Sequence, residues 1–488
     1  MRRTGPMLAL LAFAQFVVAV DYNIVYVALP DIGDALGFSA RSLQWVVSAY
    51  AVAYGGFLLL GGRLADRLGG RRVFVLGSVI FGLACLVGGF ATEPGVLIAA
   101  RAAQGLGGAL LSPATLMLIN TRFQEGPPRT RAMAVWGAAG SGGLAAGALL
   151  GGLLTQAWGW ASVLFVLVPL ALAAAALAPA LLPPDARHAS TRGGFDAPGA
   201  VLATVGSALL VFGLVSGPEA GWWSPRGLGA LAAGALLLAV FGLVEARTTD
   251  PLAPPRLFAN RALMVAIGVI LVFQSALGGA YFLFTTYMQN VLGYRALEAG
   301  LAFVPLTLIS MAASLRLAGA LLVRWGPRMT LFAGMAVNGT GMVVLAVTMS
   351  TGASYWALLP GVVIWGVGGG VTFPAMFVCA ASGVRPTEAG IASAVATTAQ
   401  QLGGAAGLAV LVAVATAGLG GSPELPAVAD GLRTAMWVGG AASIAGGLLA
   451  FVLPRARPAR PARTATGDPV AAPVTGGRGG SRSGGLSP

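Results

Sequence analysis

The sequence has little charge and few of the residues that build disulfide frameworks or metal sites. Charged residues make up 9% of its 488 residues, it contains one histidine, and lysine is absent. A soluble domain carries about 25% charged residues, so a single soluble core is excluded. The two cysteines, Cys85 and Cys379, both fall inside apolar runs, which indicates neither a disulfide framework nor a metal site.

Patterns that carry enzyme chemistry are also missing. There is no Gly-rich phosphate loop that ends in Lys and Ser or Thr, so we do not expect ATP to drive this chain. His188 stands in a polar segment beside Asp185 and Arg187, where we expect a solvated histidine and no metal ligand. Without a cluster of His, Cys and acids for catalysis, we predict a protein that is not an enzyme and needs no metal or cofactor.

Long apolar runs dominate what is present. Hydrophobic residues make up 57% of the chain, and we count about fourteen runs near the length of about 20 residues that spans a bilayer. The first run follows Arg2 and Arg3 like a signal peptide, but it is longer, contains Asp21 and has no clear cleavage site. We therefore predict a retained first span and an all-α polytopic membrane protein.

Arginine placement predicts the orientation in the membrane. The net charge of +13 would indicate nucleic acid in a soluble protein, but most arginines here fall in short loops on one side of the predicted spans. Cytoplasmic loops carry such an excess. We predict a multi-pass protein of a bacterial cytoplasmic membrane, with both termini cytoplasmic, the lipid bilayer as its surroundings and no nucleic-acid partner.

A short charged loop between two apolar runs occurs once in each half of the chain. In the first half it holds one acid, Asp66, among arginines, whereas Val323 stands at the matching place in the second. Glycines at the turn allow a positive φ or a close backbone approach. A loop repeated in each half indicates a transporter built by duplication. The matching pairs, offset by about 257 residues, are Gly62 and Gly319, Leu64 and Leu321, Arg67 and Arg324, Gly69 and Gly326, and Arg71 and Arg328.

The size of this offset predicts the domain organisation. Two adjacent six-span halves need an offset of roughly 200 residues, and the excess matches two further spans near 197–217 and 227–245. The C-terminal stretch of Pro, Arg, Gly and Ser has no periodicity and is predicted to be disordered. The predicted divisions are a six-helix bundle at 1–182, two inserted helices with linkers at 183–261, a second six-helix bundle at 262–453 and a cytoplasmic tail at 454–488.

Asp21 is the only acid predicted deep within a span. A carboxylate there costs at least ~3 kcal/mol on insertion scales, so it is retained for a reason. It could bind and release a proton during transport, or it could hydrogen-bond a neighbour such as Asn23 to pack helices. Arg101, one turn inside the fourth span, could snorkel to the interface or tune a carboxylate that faces a cavity. We predict that Asp21 and Arg101 are the proton-coupling residues.

Two further sets of residues are candidates for helix packing and substrate contact. Glycines at steps of three and four in the fifth span form one face that another helix can approach closely. Polar residues in spans are expected to face inward, away from lipid. The predicted substrate-cavity residues are Asn23, Tyr26, Gln104, Gln274, Tyr281, Thr285, Gln289, Thr397 and Gln400.

These motifs together resemble those of the major facilitator superfamily and, within it, of the fourteen-span drug:proton antiporters. Two departures are Gly70, where a basic residue is usual, and Ala148, where proline is usual. The resemblance covers residues 7–453. The motifs that carry it are the loop Gly62-x-Leu64-Ala65-Asp66-Arg67-x-Gly69-Gly70-Arg71, the first-span segment Val20 to Pro30, Arg101-x-x-Gln104-Gly105, and the antiporter motif Gly143-x-x-x-Gly147-Ala148-x-x-Gly151-Gly152.

The resemblance implies two six-helix bundles that rock around a central cavity. It also implies that Asp66 and the loop arginines stabilise the outward-open state, while Asp21 and Arg101 couple proton entry to substrate release. We predict a monomeric, proton-driven exporter of amphipathic small molecules such as antibiotics. The single intramembrane acid favours neutral, zwitterionic or monocationic substrates. A narrow-range metabolite exporter or uniporter of the same fold and a non-transporting membrane sensor are the alternatives.

Overall fold

The structure is a computed structural model, and it describes most of the chain between residues 4 and 453. The predicted tail at 454–488 and His188 lie outside the described residues, so the expectations for them stay predictions. The described residues are 4–38, 43, 45–185, 197–220, 224–248, 255–417 and 424–453.

Helices make up nearly all of this described part. The first half contains α1 (Thr4–Leu36), α2 (Trp45–Leu68), α3 (Gly70–Gly89), α4 (Pro94–Arg122), α5 (Pro127–Trp158), α6 (Ser162–Phe165) and α7 (Leu167–Leu181). The middle of the chain contains α8 (Ala197–Ala220), α9 (Ala230–Glu245) and α10 (Pro255–Phe258). The second half contains α11 (Arg261–Thr286), α12 (Ala296–Ala313), α13 (Gly319–Thr348), α14 (Tyr355–Ala380), α15 (Ala389–Thr416) and α16 (Leu425–Gly447).

The described residues include 12 helical stretches that are long and apolar enough to span a membrane, which confirms the all-α polytopic fold. One stretch, Glu298–Thr348, has 51 residues, or about 76 Å at the rise of an α-helix. That is more than twice the roughly 30 Å hydrocarbon core of a bilayer, and Gly326 breaks the stretch with a φ of 74°. A shorter apolar segment, Pro198–Leu214, lies in α8. The count of fourteen spans stays a prediction.

Glycines on α5 determine how closely α1 packs in the first half. Helix α1 lies along α5, and α4 packs against both α2 and α3. A Cβ atom on Gly143 would lie 2.6 Å from the carbonyl oxygen of Phe16, and Gly147 faces Val20 and Asn23 in the same way. The predicted glycine face is therefore the surface of α5 that α1 packs against. Gly151 is buried and Gly152 half-buried further along α5.

One of the middle helices, α8, packs against both halves. Helix α8 contacts α9, and it also contacts α2 of the first half and α15 of the second. The rings of Trp45 on α2 and Phe212 on α8 stack with centroids 5.6 Å apart. Helix α8, which lies between the two halves in sequence, thus packs against one helix of each half.

Candidate functional site

The acid predicted deep in the first span lies buried against α4. Asp21 Oδ1 accepts hydrogen bonds from Arg101 Nη1 at 2.8 Å and from Gln104 Nε2 at 2.7 Å. Arg101 Nη1 also donates to Gln104 Oε1 at 2.6 Å, because residues three apart share one face of a helix. The side chains of Asp21 and Arg101 are 0% and 3% exposed. Both predicted proton-coupling residues and one predicted cavity residue therefore form a single buried network.

Three groups that the sequence did not indicate complete this network. Arg101 Nε donates to the carbonyl oxygen of Val46 at 2.9 Å, and the guanidinium lies 4.6 Å from the centroid of the Tyr50 ring. Gln104 Nε2 also donates to Cys85 Sγ at 3.0 Å. Helices α2 and α3 thus hold Arg101 and Gln104 in place, and Arg101 does not snorkel. A carbonyl acceptor and a cation–π contact carry no sequence motif.

The second carboxylate oxygen of Asp21 differs from the first. Oδ2 is buried and has no hydrogen-bond partner in the part of the chain that the structure describes. Buried polar atoms are nearly always hydrogen-bonded, so an exception calls for an explanation. A proton on Oδ2 would leave both hydrogen bonds to Oδ1 in place. Asn23 donates to the carbonyl oxygen of Leu144 at 2.9 Å, so the interpretation in which it is the partner of Asp21 is wrong.

Asp66, near the end of α2, contacts the second half of the chain. Its Oδ1 accepts the backbone N–H of Gly390 at 2.8 Å, and its Oδ2 accepts that of Ile391 at 2.9 Å. Both donors lie in the first turn of α15, where N–H groups lack intrahelical acceptors and where the helix dipole favours a negative charge. We call this pair of hydrogen bonds the Asp66 link. It joins α2 to α15 end to end.

The other residues of the loop motif support this contact in different ways. A Cβ atom on Gly62 would lie 2.5 Å from both the carbonyl oxygen of Gly390 and Ala394 Cβ, so only glycine allows α2 to approach α15 here. Gly69 begins α3 with a φ of 99°, which favours glycine. Arg67 is half-buried. The backbone N–H of Arg71 donates a hydrogen bond to Asp185 Oδ1 at 2.9 Å.

Further contacts between the halves lie at the same end of the helices as the Asp66 link. Ser314 Oγ donates to the carbonyl oxygen of Ala134 at 2.9 Å. The Trp136 ring stacks on Phe373 and meets Phe377 edge-on, with centroids 5.9 and 5.2 Å apart. The two halves are therefore held together at the arginine-rich end by hydrogen bonds and by ring packing.

An ion pair lies beside the Asp66 link. Arg256 Nε donates to Glu388 Oε1 at 2.7 Å, and Glu388 directly precedes α15. Glu388 is 9% exposed and Arg256 is 60% exposed. The segment that leads into the second half is thus attached to the start of the helix that Asp66 contacts.

The predicted cavity residues of the second half are only partly brought together. Thr285 and Thr397 donate their hydroxyl groups to carbonyl oxygens of their own helices, both at 2.8 Å. The Tyr281 ring stacks on Phe303 with centroids 5.1 Å apart. Gln274 Oε1 is buried and has no partner among the described residues. Among the predicted cavity residues of the second half, Gln274 is thus the one with a buried amide oxygen that no described residue satisfies.

The remaining predicted cavity residues are more exposed. Tyr26 is 46% exposed, and its ring lies 6.1 Å from that of Tyr22. Asn23, Gln289 and Gln400 are half-buried. Tyr22, which directly follows Asp21 in α1, therefore forms an aromatic pair with Tyr26.

The helical spans, the two halves linked by Asp66 and the buried ion pair define a polytopic membrane protein of the transporter class. The sequence profile of the Major Facilitator Superfamily matches residues 11–408. The chain therefore belongs to this superfamily of membrane transporters, and the resemblance drawn from its motifs is confirmed.

Individual relatives narrow the comparison. Over 417 residues the chain is 41% identical to the cephamycin export protein CmcT of Amycolatopsis lactamdurans, covering 85% of this chain and 86% of that protein. Over 418 residues it is 42% identical to the puromycin resistance protein pur8 of Streptomyces alboniger, covering 85% and 82%. The crystal structure of the human organic anion transporter MFSD10 matches with a TM-score of 0.67 at 16% identity, covering 91% of this chain and 98% of that one. That likeness concerns the fold alone.

Proposed function

We propose that this protein exports amphipathic small molecules, antibiotics among them, across a bacterial cytoplasmic membrane in exchange for protons. The observation that carries the proposal is the buried Asp21 carboxylate, which has one oxygen bonded to Arg101 and Gln104 and the other without a partner. Support for the cargo class comes from the relatives named for cephamycin export and puromycin resistance. The protein acts as a monomer with both termini in the cytoplasm.

Proton binding changes the electrostatics of the buried network. In the charged state, Asp21 neutralises Arg101 in a region where an unpaired charge is costly. A proton on Oδ2 removes this attraction, while the Val46 carbonyl and the Tyr50 ring still hold the guanidinium. Protonation and substrate binding then bias one two-state equilibrium in opposite directions, which is sufficient for exchange.

The Asp66 link stabilises the state that is closed at the arginine-rich end. Positive loops mark the cytoplasmic side, so this closed state faces outward. The loop arginines Arg67 and Arg71 add positive charge beside the linked helix ends. Opening towards the cytoplasm requires the hydrogen bonds from Gly390 and Ile391 to Asp66 to break.

The antiporter motif contributes through packing. Gly143 and Gly147 bring α5 against the part of α1 that precedes and follows Asp21. This contact buries the neighbouring face of α1, which carries Phe16, Val20 and Asn23. We expect substrate to reach the other faces of α1 near Tyr26. In the second half we expect it to contact Gln274 on α11.

Transport by purified protein in vesicles tests the proposal. The vesicles are loaded with a pH-sensitive dye and exposed to puromycin, a cephamycin and unrelated compounds. We expect drug-dependent proton flux in the wild type and none in Asp21→Asn, since an amide cannot exchange a proton. Asp430→Asn is the matched control, because Asp430 is an exposed acid whose ion pair with Arg433 lies on α16.

The alternatives give different results in the same assay. Flux with one compound alone would identify a narrow-range exporter, and flux that ignores the pH gradient would identify a uniporter. No flux with any compound would favour a membrane sensor. Drug-driven proton flux that persists in a correctly inserted Asp21→Asn protein would remove Asp21 from the mechanism.

A further inference from the structure

A cleft of about 410 Å³ opens at the arginine-rich end of the first half. It lies where α1 and α3 begin and where α4 and α7 end. Its lining consists of Arg71, Arg122, Thr4, Met7 and residues 179–184. The volume lies within the range of roughly 300–1,000 Å³ that is typical of ligand pockets. None of the residues in the proton-coupling network lines this cleft.

Two guanidinium groups give the cleft its charge. Arg122 is exposed, and its guanidinium makes one hydrogen bond to the described residues, a long one of 3.4 Å from Nη2 to the carbonyl oxygen of Pro184. The side chain of Arg71 makes no hydrogen bond or ion pair with the residues that the structure describes. The acid that follows Pro184 is already engaged, since Asp185 accepts the backbone N–H groups of Arg71 and Arg72 at 2.9 and 3.1 Å. It caps the start of α3.

The remaining walls are apolar and continue into the membrane. Helix α7 has no charged or polar side chain, so its exposed face suits acyl chains. Pro179 and Ala180 at its end are exposed, whereas Met7 and Leu182 are buried. The cleft thus combines a cationic rim at the end of the helices with an apolar wall along one of them.

The matching arginine of the second half has different surroundings. Arg328 corresponds to Arg71 in the repeated loop, and its guanidinium lies 4.7 Å from the centroid of the Phe451 ring. There the charge is stacked on an aromatic side chain of the protein itself. The loop repeat therefore does not by itself place this arginine at a cleft, since Arg71 lines one and Arg328 is stacked on Phe451.

We propose that this cleft binds the headgroup of an anionic phospholipid, such as phosphatidylglycerol, from the cytoplasmic leaflet. Guanidinium groups match phosphate oxygens in a bidentate geometry, and basic pockets between helices on this side recognise anionic headgroups. Arg71 and Arg122 hold the phosphodiester, and the acyl chains lie along α7. The inference goes beyond the transport proposal and does not depend on which compound is carried.

Lipid binding to the purified full chain tests this assignment. Native mass spectrometry measures the affinity for phosphatidylglycerol and for zwitterionic phosphatidylethanolamine, first in the wild type and then in Arg71→Gln/Arg122→Gln. Each arginine near an anionic lipid surface contributes roughly a fivefold factor, so we expect the affinity of the double variant for phosphatidylglycerol to fall by about 25-fold. Arg328→Gln/Arg433→Gln removes the same charge elsewhere and is expected to bind like the wild type.

A second variant separates the cleft from net charge. Ala180→Trp fills the cleft without changing charge, and we expect it to lose phosphatidylglycerol as well; it also decides the matter if the arginine variant fails to fold. Unchanged affinity in these variants, or equal affinity for both lipids, would overturn the proposal. Displacement of the lipid by inorganic phosphate at equal concentration would also overturn it, because the site would then serve a soluble anion.

Discussion

The charged loops of the two halves share a backbone turn but contact different parts of the molecule. Gly69 and Gly326 both adopt a positive φ, at 99° and 74°; Gly69 directly precedes α3, which carries Arg71, and Gly326 breaks α13 two residues before Arg328. In the first loop, Asp66 accepts two N–H groups of α15. In the second, Val323 stands in its place and is 65% exposed. Duplication has thus repeated the turn, and one side chain decides which loop joins the halves.

The glycines that precede these turns show the same contrast. Gly62 is packed against α15, where a Cβ atom would lie 2.5 Å from the Gly390 carbonyl oxygen. At the matching Gly319, the nearest atom, Thr130 Cγ2, would be 3.8 Å away. Two glycines at matching positions of the repeat are therefore packed differently, one tightly and one with space around it. Each second-half residue can thus serve as a control for its first-half counterpart.

Among the variants that compare the two loops, Asp66→Ala is expected to have the largest effect. It leaves two N–H groups at the start of α15 without a charged acceptor, and hydrogen bonds to charged groups contribute about 1.5–3 kcal/mol each. We expect the equilibrium to shift by at least about a hundredfold towards the state open at this end. Spectroscopic distances between labels on α2 and α15 measure the shift, and Val323→Ala is expected to leave them unchanged. Equal distances in both variants would contradict the role of the Asp66 link.

Gly62→Ala is expected to have the next largest effect. Its methyl group meets backbone atoms that cannot move independently, and overpacking of this kind costs typically about 1–3 kcal/mol. Gly319→Ala has room for its methyl group and gains up to about 1 kcal/mol of helix propensity. Thermal unfolding of both variants in detergent should therefore show a lower Tm for the first and an equal or higher Tm for the second. A drop of the same size in both would show that space at Gly62 is not limiting.

Glu388→Gln should weaken the closed state only slightly. The carboxylate is nearly buried but its partner Arg256 is largely exposed, and pairs with an exposed partner contribute about 0.2–1 kcal/mol. The labelled distances should shift in the direction seen for Asp66→Ala, by a smaller amount. Asp430→Asn removes a largely exposed pair on α16 and serves as the reference for no shift. A shift in the distances as large as that of Asp66→Ala would show that the Arg256–Glu388 pair stabilises the closed state as much as the Asp66 link does.

Val323→Asp added to Asp66→Ala is expected to have the smallest effect. The side chain at this place is 65% exposed, so the new acid should change stability by less than about 0.5 kcal/mol. Transport should remain at the level of the Asp66→Ala variant. Recovery of the wild-type rate would show that either loop can provide the link, and the comparison between the halves would lose its basis.

Several features of the site followed from local sequence, and others did not. Asp21 and Arg101 were predicted as a functional pair because a charge within an apolar run needs a reason to be there. Tyr50 and Cys85 could not be predicted as their neighbours, since an aromatic ring and a thiol in a span are ordinary packing residues. The sequence shows Asp185 only as part of a polar segment, although it caps α3. Its signal was weak, because the start of α3 lies more than a hundred residues away.

The sequence by itself determined the membrane-spanning character, the repeated turns and the family of this protein. Each of these depends on local properties: apolar length, the φ that glycine permits, and short motifs of fixed spacing. The tertiary structure alone decided that Asp21 bonds to Arg101 across 80 positions and that Asp66 meets Gly390 across 324. Such contacts depend on which faces of the helices meet. Glycines such as Gly62 and Gly143 determine these faces because they allow close packing. The spacing of residues along the chain does not show which helix packs there.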